Sequence, residues 1–272
     1  MNYRRHLLIA SVLVVLVTVV AYFLLTVGYP LPQQASVEAR SIDTLINAHF
    51  WVIAFLFSLV AVMMLYGLIV FRRREGDEGD GDHVHGSTLL EILWTVVPLI
   101  LVVAFGAWGV SMLNEITSAE AKPNQLLVHV QGQRWNWNFS YPELGVNAPV
   151  NERSLTRIEV DPYDQNNVDL ILPVGRPIVL EMEATDVLHS FWVPEFRVKQ
   201  DLVPGKTTYL RFTPTEIGNY KLVCAEICGG DHAYMMSAVR VVSELCFDQL
   251  VVQQLPLAEA DASCQFEATE QN

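Results

Sequence analysis

The chain has 272 residues, 51% of them hydrophobic, and a formal net charge of −13. That length fits one or two domains, and so acidic a composition argues against nucleic acid as a partner.

The apolar residues are gathered into three long runs without charge: Leu7 to Val27, Phe50 to Phe71 and Ile92 to Leu113. Each matches the ~20 residues that a helix needs to cross a bilayer core, so the chain is expected to lie in a membrane and contact lipid. The first run, within residues 1–28, reads either as a transmembrane helix or as a signal sequence. Two arginines precede it, but its apolar stretch exceeds the usual ~7–15 residues of a signal and no clean cleavage motif follows. The other two runs form a predicted helical hairpin over residues 45–113. Basic residues mark the inner side of a membrane. Arg4 and Arg5 precede the first run, and Arg72, Arg73 and Arg74 follow the second. This pattern places the loop 72–87 in the cytoplasm and everything after about residue 114 outside. The loop itself, EGDEGDGDHVHGS, is Gly-rich and acidic, a solvated connection. His83 and His85 within it read as solvated side chains rather than a metal site.

Beyond residue 114 the texture turns to short β-rich runs: LLVHVQ (126–131), WNWNFSY (135–141), VDLILPV (168–174), PIVLEME (177–183), TTYLRFT (207–213), NYKLVCA (219–225) and AVRVV (238–242). Turn-forming stretches separate them, which predicts an antiparallel sandwich or barrel over 118–245. A helical stretch is expected at Leu245 to Gln254, within a C-terminal tail over 246–272. From residue 113 onward 22 acidic side chains face 11 basic ones. Such a surface suits a basic partner that is steered in electrostatically.

The chemistry concentrates in CAEICGGDHAYM, residues 224–235. It follows a strand-like run and contains Gly229 and Gly230, so it reads as a loop. Cys224, Cys228, His232 and Met235 offer thiolates, an imidazole and a thioether, a soft set that favours copper. A structural zinc site would use Cys and His alone, and the spacing of three rules out a C-x-x-C redox motif. A further imidazole has to come from elsewhere. His129 sits in a strand-like run, whereas His189, in TDVLHSFWVPEF, is expected in a loop after a strand, where it can close a site. Cys246 and Cys264, on an oxidising face, are candidates for a disulfide.

CAEICGGDHAYM together with DVLHSFWVP resembles the dinuclear copper centre of subunit II of the haem–copper cytochrome c oxidases. GQRWNWNFSYPE (132–143) resembles that family's aromatic-rich stretch, LLEILWTVVPLIL (89–101) its second membrane helix, and KQDLVPGK (199–206) its turn after the histidine loop. The resemblance spans residues 45–255. It implies a cupredoxin-like Greek-key sandwich behind the membrane helices, in the plasma membrane of a bacterium with the copper domain on the periplasmic side. It also implies two copper ions: Cys224 and Cys228 bridging, His189 and His232 each on one ion, and Met235 and the Glu226 carbonyl as weak outer ligands. The Glu226 side chain would meet a magnesium ion at the interface with the haem-bearing oxidase subunit I. Trp135 would accept electrons from cytochrome c; its alternative reading, shared with Trp137, is a sandwich aromatic. Glu91, three residues before Trp94, would stand at the mouth of a proton-uptake channel; otherwise it is an interfacial charge. Asp186 is either a docking carboxylate or a hydrogen-bonding residue of its loop. Arg134 and Asn136 depart from the family pattern, and a cation at Arg134 would weaken docking of a basic cytochrome. The implied function is an electron-transfer subunit of a terminal oxidase that reduces oxygen to water and pumps protons. A quinol oxidase subunit would lack the ligands, and a copper chaperone would need neither Trp135 nor Glu91. The copper subunit of another respiratory complex is the remaining alternative.

Overall fold

The computed structural model describes residues 3–73, 75–76, 79, 83, 85–118, 120, 123–147, 169–255 and 259–264. Arg74 and the turn-forming stretches at 148–168 lie outside them. The chain divides into two units, Met1–Leu31 with Asp43–Val110, and Pro32–Ile42 with Ser111–Asn272.

The first unit is built from three helices, α1 (Tyr3–Gly28), α2 (Val37–Val70) and α3 (Thr88–Thr117), all long and apolar enough to cross a membrane. The first apolar run is thus a full helix, and its side chains meet α2 at both ends. The His6 ring lies 2.8 Å from the Tyr66 hydroxyl; the Tyr22 ring stacks on Trp51 at 3.9 Å and its hydroxyl donates to Asn47. Between these ends Ala10, Val14 and Thr18 of α1 are buried at four-residue spacing, as are Ala54, Ser58 and Val62 of α2. Small residues in such rows let helix backbones approach closely in lipid. The His49 ring of α2 packs on Phe105 of α3 at 4.1 Å. No residue of α3 is buried.

A helix of 34 residues is about 51 Å long, well beyond a bilayer core of about 30 Å. The surplus at the start of α2 belongs to the second unit. Ser36 caps α2 by accepting from the Ala39 amide, and its hydroxyl donates to the Phe196 carbonyl. The Ala35 amide donates to Glu195, the Thr215 amide to Ala35 and the Val37 amide to Thr213, so this short segment is stitched to the β domain. The chain leaving α3 is held similarly: the buried Arg211 guanidinium donates to the carbonyls of Ser118 and Glu120 and to the Gln125 side chain.

The β domain is a sandwich of two five-stranded sheets. Its strands are β1 (Leu126–Gln133), β2 (Asn136–Tyr141), β3 (Val146–Asn147), β4 (Leu170–Pro173), β5 (Ile178–Ala184), β6 (His189–Val193), β7 (Val198–Leu202), β8 (Thr208–Phe212), β9 (Gly218–Cys224) and β10 (Met236–Val242). One sheet runs β3-β2-β1-β5-β8, the other β4-β10-β9-β6-β7. The expected antiparallel arrangement is corrected at two places, because β1 pairs β5 and β4 pairs β10 in parallel. The physical reason is the path of the chain: it crosses between the sheets before and after both β4 and β5, so neither strand pairs with its neighbour in the sequence.

The core alternates as a half-buried strand must. Leu126, Val128 and Val130 of β1 are buried while His129 between them faces outward. Tyr141 is wholly buried, and its hydroxyl accepts from the Ile171 amide and donates to the Ile171 carbonyl. Burial raises its pKa well above the usual tyrosine value, although the bond to Ile171 offsets part of this. After β10 the expected helix appears as a short α-helix, α4 (Glu244–Phe247), running into a π-helical stretch Asp248–Val252. Cys246 and Cys264 form a disulfide with a Cα–Cα distance of 5.4 Å.

Candidate metal centre

The motif loop is the β9–β10 connection. β9 ends at Cys224, whose amide donates to the Met235 carbonyl and closes the loop at its base. Gly229 adopts a φ of +129°, a conformation open to glycine, and a 3-10 turn over His232–Tyr234 folds the loop back. These backbone features point the donors inward. The Cys224 and Cys228 sulfurs lie 3.9 Å apart. Cys228 Sγ is 3.5 Å from His232 Nδ1 and 3.8 Å from Met235 Sδ, and Cys224 Sγ is 3.3 Å from the Glu226 carbonyl oxygen.

The fourth side comes from the neighbouring strand. His189 is not in a loop, as expected, but is the first residue of β6. Its register explains the change: His189 pairs with Leu202 of β7, while Phe191, two residues on, pairs with Cys224. The Ala225 amide also donates to the Ser190 carbonyl. This places His189 Nδ1 at 3.9 Å from Cys224 Sγ, with the ring fully buried. His189, Cys224 and Cys228 offer ligand atoms all within 4.8 Å of one another. His129 takes no part: it faces outward and its Nε2 lies 2.6 Å from Glu181.

The donor set fits a soft metal. Two sulfurs that each sit about 2.3 Å from a shared ion lie at most about 4.6 Å apart, and the observed separation is within that. Both cysteines are free and buried. Burial pushes the Cys228 thiol up to about 12, and the Cys224 thiol beside it adds to the effect. The unmetallated Cys228 thiol therefore stays protonated at neutral pH, and metal binding must expel that proton.

The supporting residues were not singled out by the motif. Asp186 accepts from His189 Nε2 (2.9 Å) and from the Val187 amide (2.7 Å) through Oδ1, and from the amide and Nε of Arg134 (2.9 and 3.0 Å) through Oδ2. Burial opposes ionisation of this carboxyl, but the hydrogen bonds outweigh it and hold its pKa well below the usual range. A Cβ on Gly132 would stand 3.3 Å from two atoms of the His189 ring, so the glycine leaves the space the imidazole needs. The Trp137 ring meets His189 edge-on at 6.3 Å. A glycine inside a strand-like run signals a close approach, and Gly132 in LLVHVQGQ carried that signal.

Trp135, half-buried, lies against the loop: a Cβ on Gly229 would come within 3.1 Å of its ring. Trp137, by contrast, is a core aromatic. Glu91 sits exposed in the first turn of α3 in the helical unit, and His83 and His85 are exposed as expected.

Comparison with known proteins agrees with this geometry. The family described as cytochrome c oxidase subunit II, periplasmic domain, matches residues 126–242, and its transmembrane domain matches residues 25–112. The chain is 29% identical to cytochrome c oxidase subunit 2 of Synechocystis sp., over 83% of this chain and 76% of the relative. It is 30% identical to the same subunit of Thermostichus vulcanus, over 78% and 74%. Against the alternative cytochrome c oxidase subunit 2 of Bradyrhizobium diazoefficiens it is 33% identical over 80% and 81%. With its membrane helices, its cupredoxin-like β domain and a His/Cys cluster compatible with copper, the chain belongs to the cytochrome c oxidase subunit II family, as a membrane-anchored subunit of a haem–copper oxidase with a periplasmic domain.

Proposed function

We propose that this chain is the electron-accepting subunit of a terminal oxidase, which takes electrons from cytochrome c and passes them to the haem-bearing subunit that reduces oxygen and pumps protons. The observation that carries this reading is the buried cluster of His189, Cys224 and Cys228, with the Glu226 carbonyl 3.3 Å from the Cys224 sulfur and His232 Nδ1 and Met235 Sδ at 3.5 and 3.8 Å from the Cys228 sulfur. These residues would hold two copper ions, Cys224 and Cys228 contributing their thiolates. Such a copper pair would supply a site where one electron is shared, so that little has to reorganise on transfer.

The chain's own residues do the rest. Burial keeps water from the sulfurs, and β6, β9 and the loop base fix the donors before metal arrives, which limits rearrangement. Trp135, against the loop at Gly229, is assigned as the point of electron intake. The Glu226 carbonyl lies 3.3 Å from the Cys224 sulfur, and its carboxylate would hold a magnesium ion at the interface with the haem-bearing subunit. Glu91 is assigned to proton uptake; E91A should slow that uptake and leave the copper signals intact, and unchanged uptake refutes the role.

Copper-loaded full-length chain in detergent tests the central reading. The expected result is two coppers per chain and a mixed-valence EPR spectrum shared over both nuclei, lost in C228S. A single-copper spectrum, or preferential zinc binding, overturns it.

A further inference from the structure

Asp186 presents two possible roles, and its contacts separate them. A docking carboxylate needs free lone pairs turned to solvent. Here Oδ1 already receives the His189 Nε2–H and the Val187 amide, and Oδ2 receives both the amide and the Nε of Arg134. All four contacts lie between 2.7 and 3.0 Å, and the side chain keeps only 22% exposure. What such an arrangement controls is the imidazole. With Nε2–H committed to Asp186, the tautomer is set and the lone pair of Nδ1 is turned toward Cys224 Sγ at 3.9 Å. Outer partners of this kind fix ring orientation and basicity.

Arg134 holds the carboxylate from the other side, twice, through main chain and side chain. It also neutralises the one charge that the loop would otherwise offer a cationic visitor. Because Trp135 follows Arg134 directly, the same contact anchors the backbone that carries the indole against Gly229. Gly132, two residues before Arg134, makes room for the His189 ring. One short stretch, residues 132–135, therefore supports both the ligand and the aromatic beside the loop.

We propose that Arg134 and Asp186 form a positioning clamp for His189, and that Asp186 is not a docking residue for the electron donor. This rests on the reading of His189 as a copper ligand. It predicts that the cation at Arg134 is a fixed internal partner, so the basic donor is recognised by other acidic side chains of the domain.

The test uses full-length chain in detergent for copper titration and EPR, and the assembled oxidase for electron transfer from a basic cytochrome c at varied ionic strength. D186A should raise the copper dissociation constant about 10- to 100-fold, the usual cost of losing such a partner, and change the nitrogen hyperfine pattern. D186N, which keeps an oxygen to accept from Nε2–H, should recover much of the affinity, and R134A should fall between wild type and D186A. The salt dependence of the transfer rate, which reports docking charges, should stay as in wild type for the double variant R134A/D186N, which removes the paired charges together. Wild-type copper binding and EPR in D186A, or a shallower salt dependence in that double variant, overturns the clamp. If D186A does not accumulate, R134A decides: an unchanged copper affinity and spectrum refutes the proposal. Failure of the wild-type chain to take up two coppers would instead refute the functional reading, and shows before any variant is made.

Discussion

Replacing Gly132 with alanine tests how tightly the β1 backbone is fitted under the ligand histidine. The new Cβ would lie 3.1 Å from Leu202 Cδ2 and 3.3 Å from both Cγ and Cδ2 of His189. Comfortable carbon–carbon contact begins at about 3.5–4.0 Å, so each neighbour has to retreat by a few tenths of an ångström. Leu202 can turn its methyl away. His189 cannot retreat freely, because its ring is fully buried, bonded to Asp186 at 2.9 Å and faced by Trp137. Overpacking of this kind costs about 1–3 kcal/mol. A site held to within about 0.5 Å then loses its ligand geometry. The expected outcome is copper affinity about 10- to 100-fold weaker, as for a lost outer partner, with an altered EPR hyperfine pattern. G230A is the control, since a Cβ there meets nothing within 4 Å although it sits in the motif loop itself. Copper titration and EPR of both variants in full-length chain decide the matter. If G132A binds copper with the affinity and spectrum of G230A, the close packing under His189 has no consequence and the reasoning fails.

W135F should slow electron transfer from cytochrome c by at least about tenfold, a barrier change of about 1.4 kcal/mol, with the copper spectrum unchanged; stopped-flow reduction of the oxidase measures it, and an unaltered rate removes Trp135 from the route. Y141F leaves the Ile171 amide and carbonyl buried without their partner, which should cost about 1–3 kcal/mol and lower the melting temperature by several degrees. The Tyr141 pKa is raised on folding, so its contribution is complete below the ordinary tyrosine value of 10.0 and is lost as pH rises above it. Stability of Y141F measured across that range should therefore fall less steeply than wild type, with Tyr220, pushed up to about 12 by burial, retaining part of the slope. Because α1 is tied to α2 at His6–Tyr66 and Tyr22–Trp51, the subunit from the assembled oxidase should keep residues 3–28. Intact mass spectrometry shows this, and a chain cleaved after α1 contradicts it.

The membrane helices were legible because length and absence of charge suffice to identify them. Seven strands were legible from β-rich runs between turns. β6 and β7 were not. HSFWV opens on a polar residue beside a loop, and VKQDL carries three polar residues in a row; each is a strand because of its partners across the sheet. Partners are also what the parallel pairs depend on. The alternation in LLVHVQGQ shows which side chains turn inward, but not that β1 lies beside β5 rather than another strand. The attachment of Ser36 and its neighbours to the β domain was hidden for the same reason, being made of main-chain hydrogen bonds and one from the Ser36 hydroxyl, all across 160 residues or more of chain.

The same division runs through the site. Cys224, Cys228, His232 and Met235 lie within twelve residues, and a loop that short has few ways to separate them, so their spacing alone reveals a common centre. His189 was reached because a soft donor set called for a second imidazole, which is a chemical argument, and its wrong assignment to a loop did not matter to it. Asp186, Arg134 and Gly132 answer to no such shortage. The sequence left Asp186 with two readings and gave Gly132 only a general signal of close approach; what each one serves is visible once β1 and β6 are brought face to face. Residues that bind a metal are constrained by the metal, whose chemistry is known in advance. Residues that position those ligands are constrained only by the fold around them, which is why variants at these positions, rather than at the cysteines, test what the structure adds.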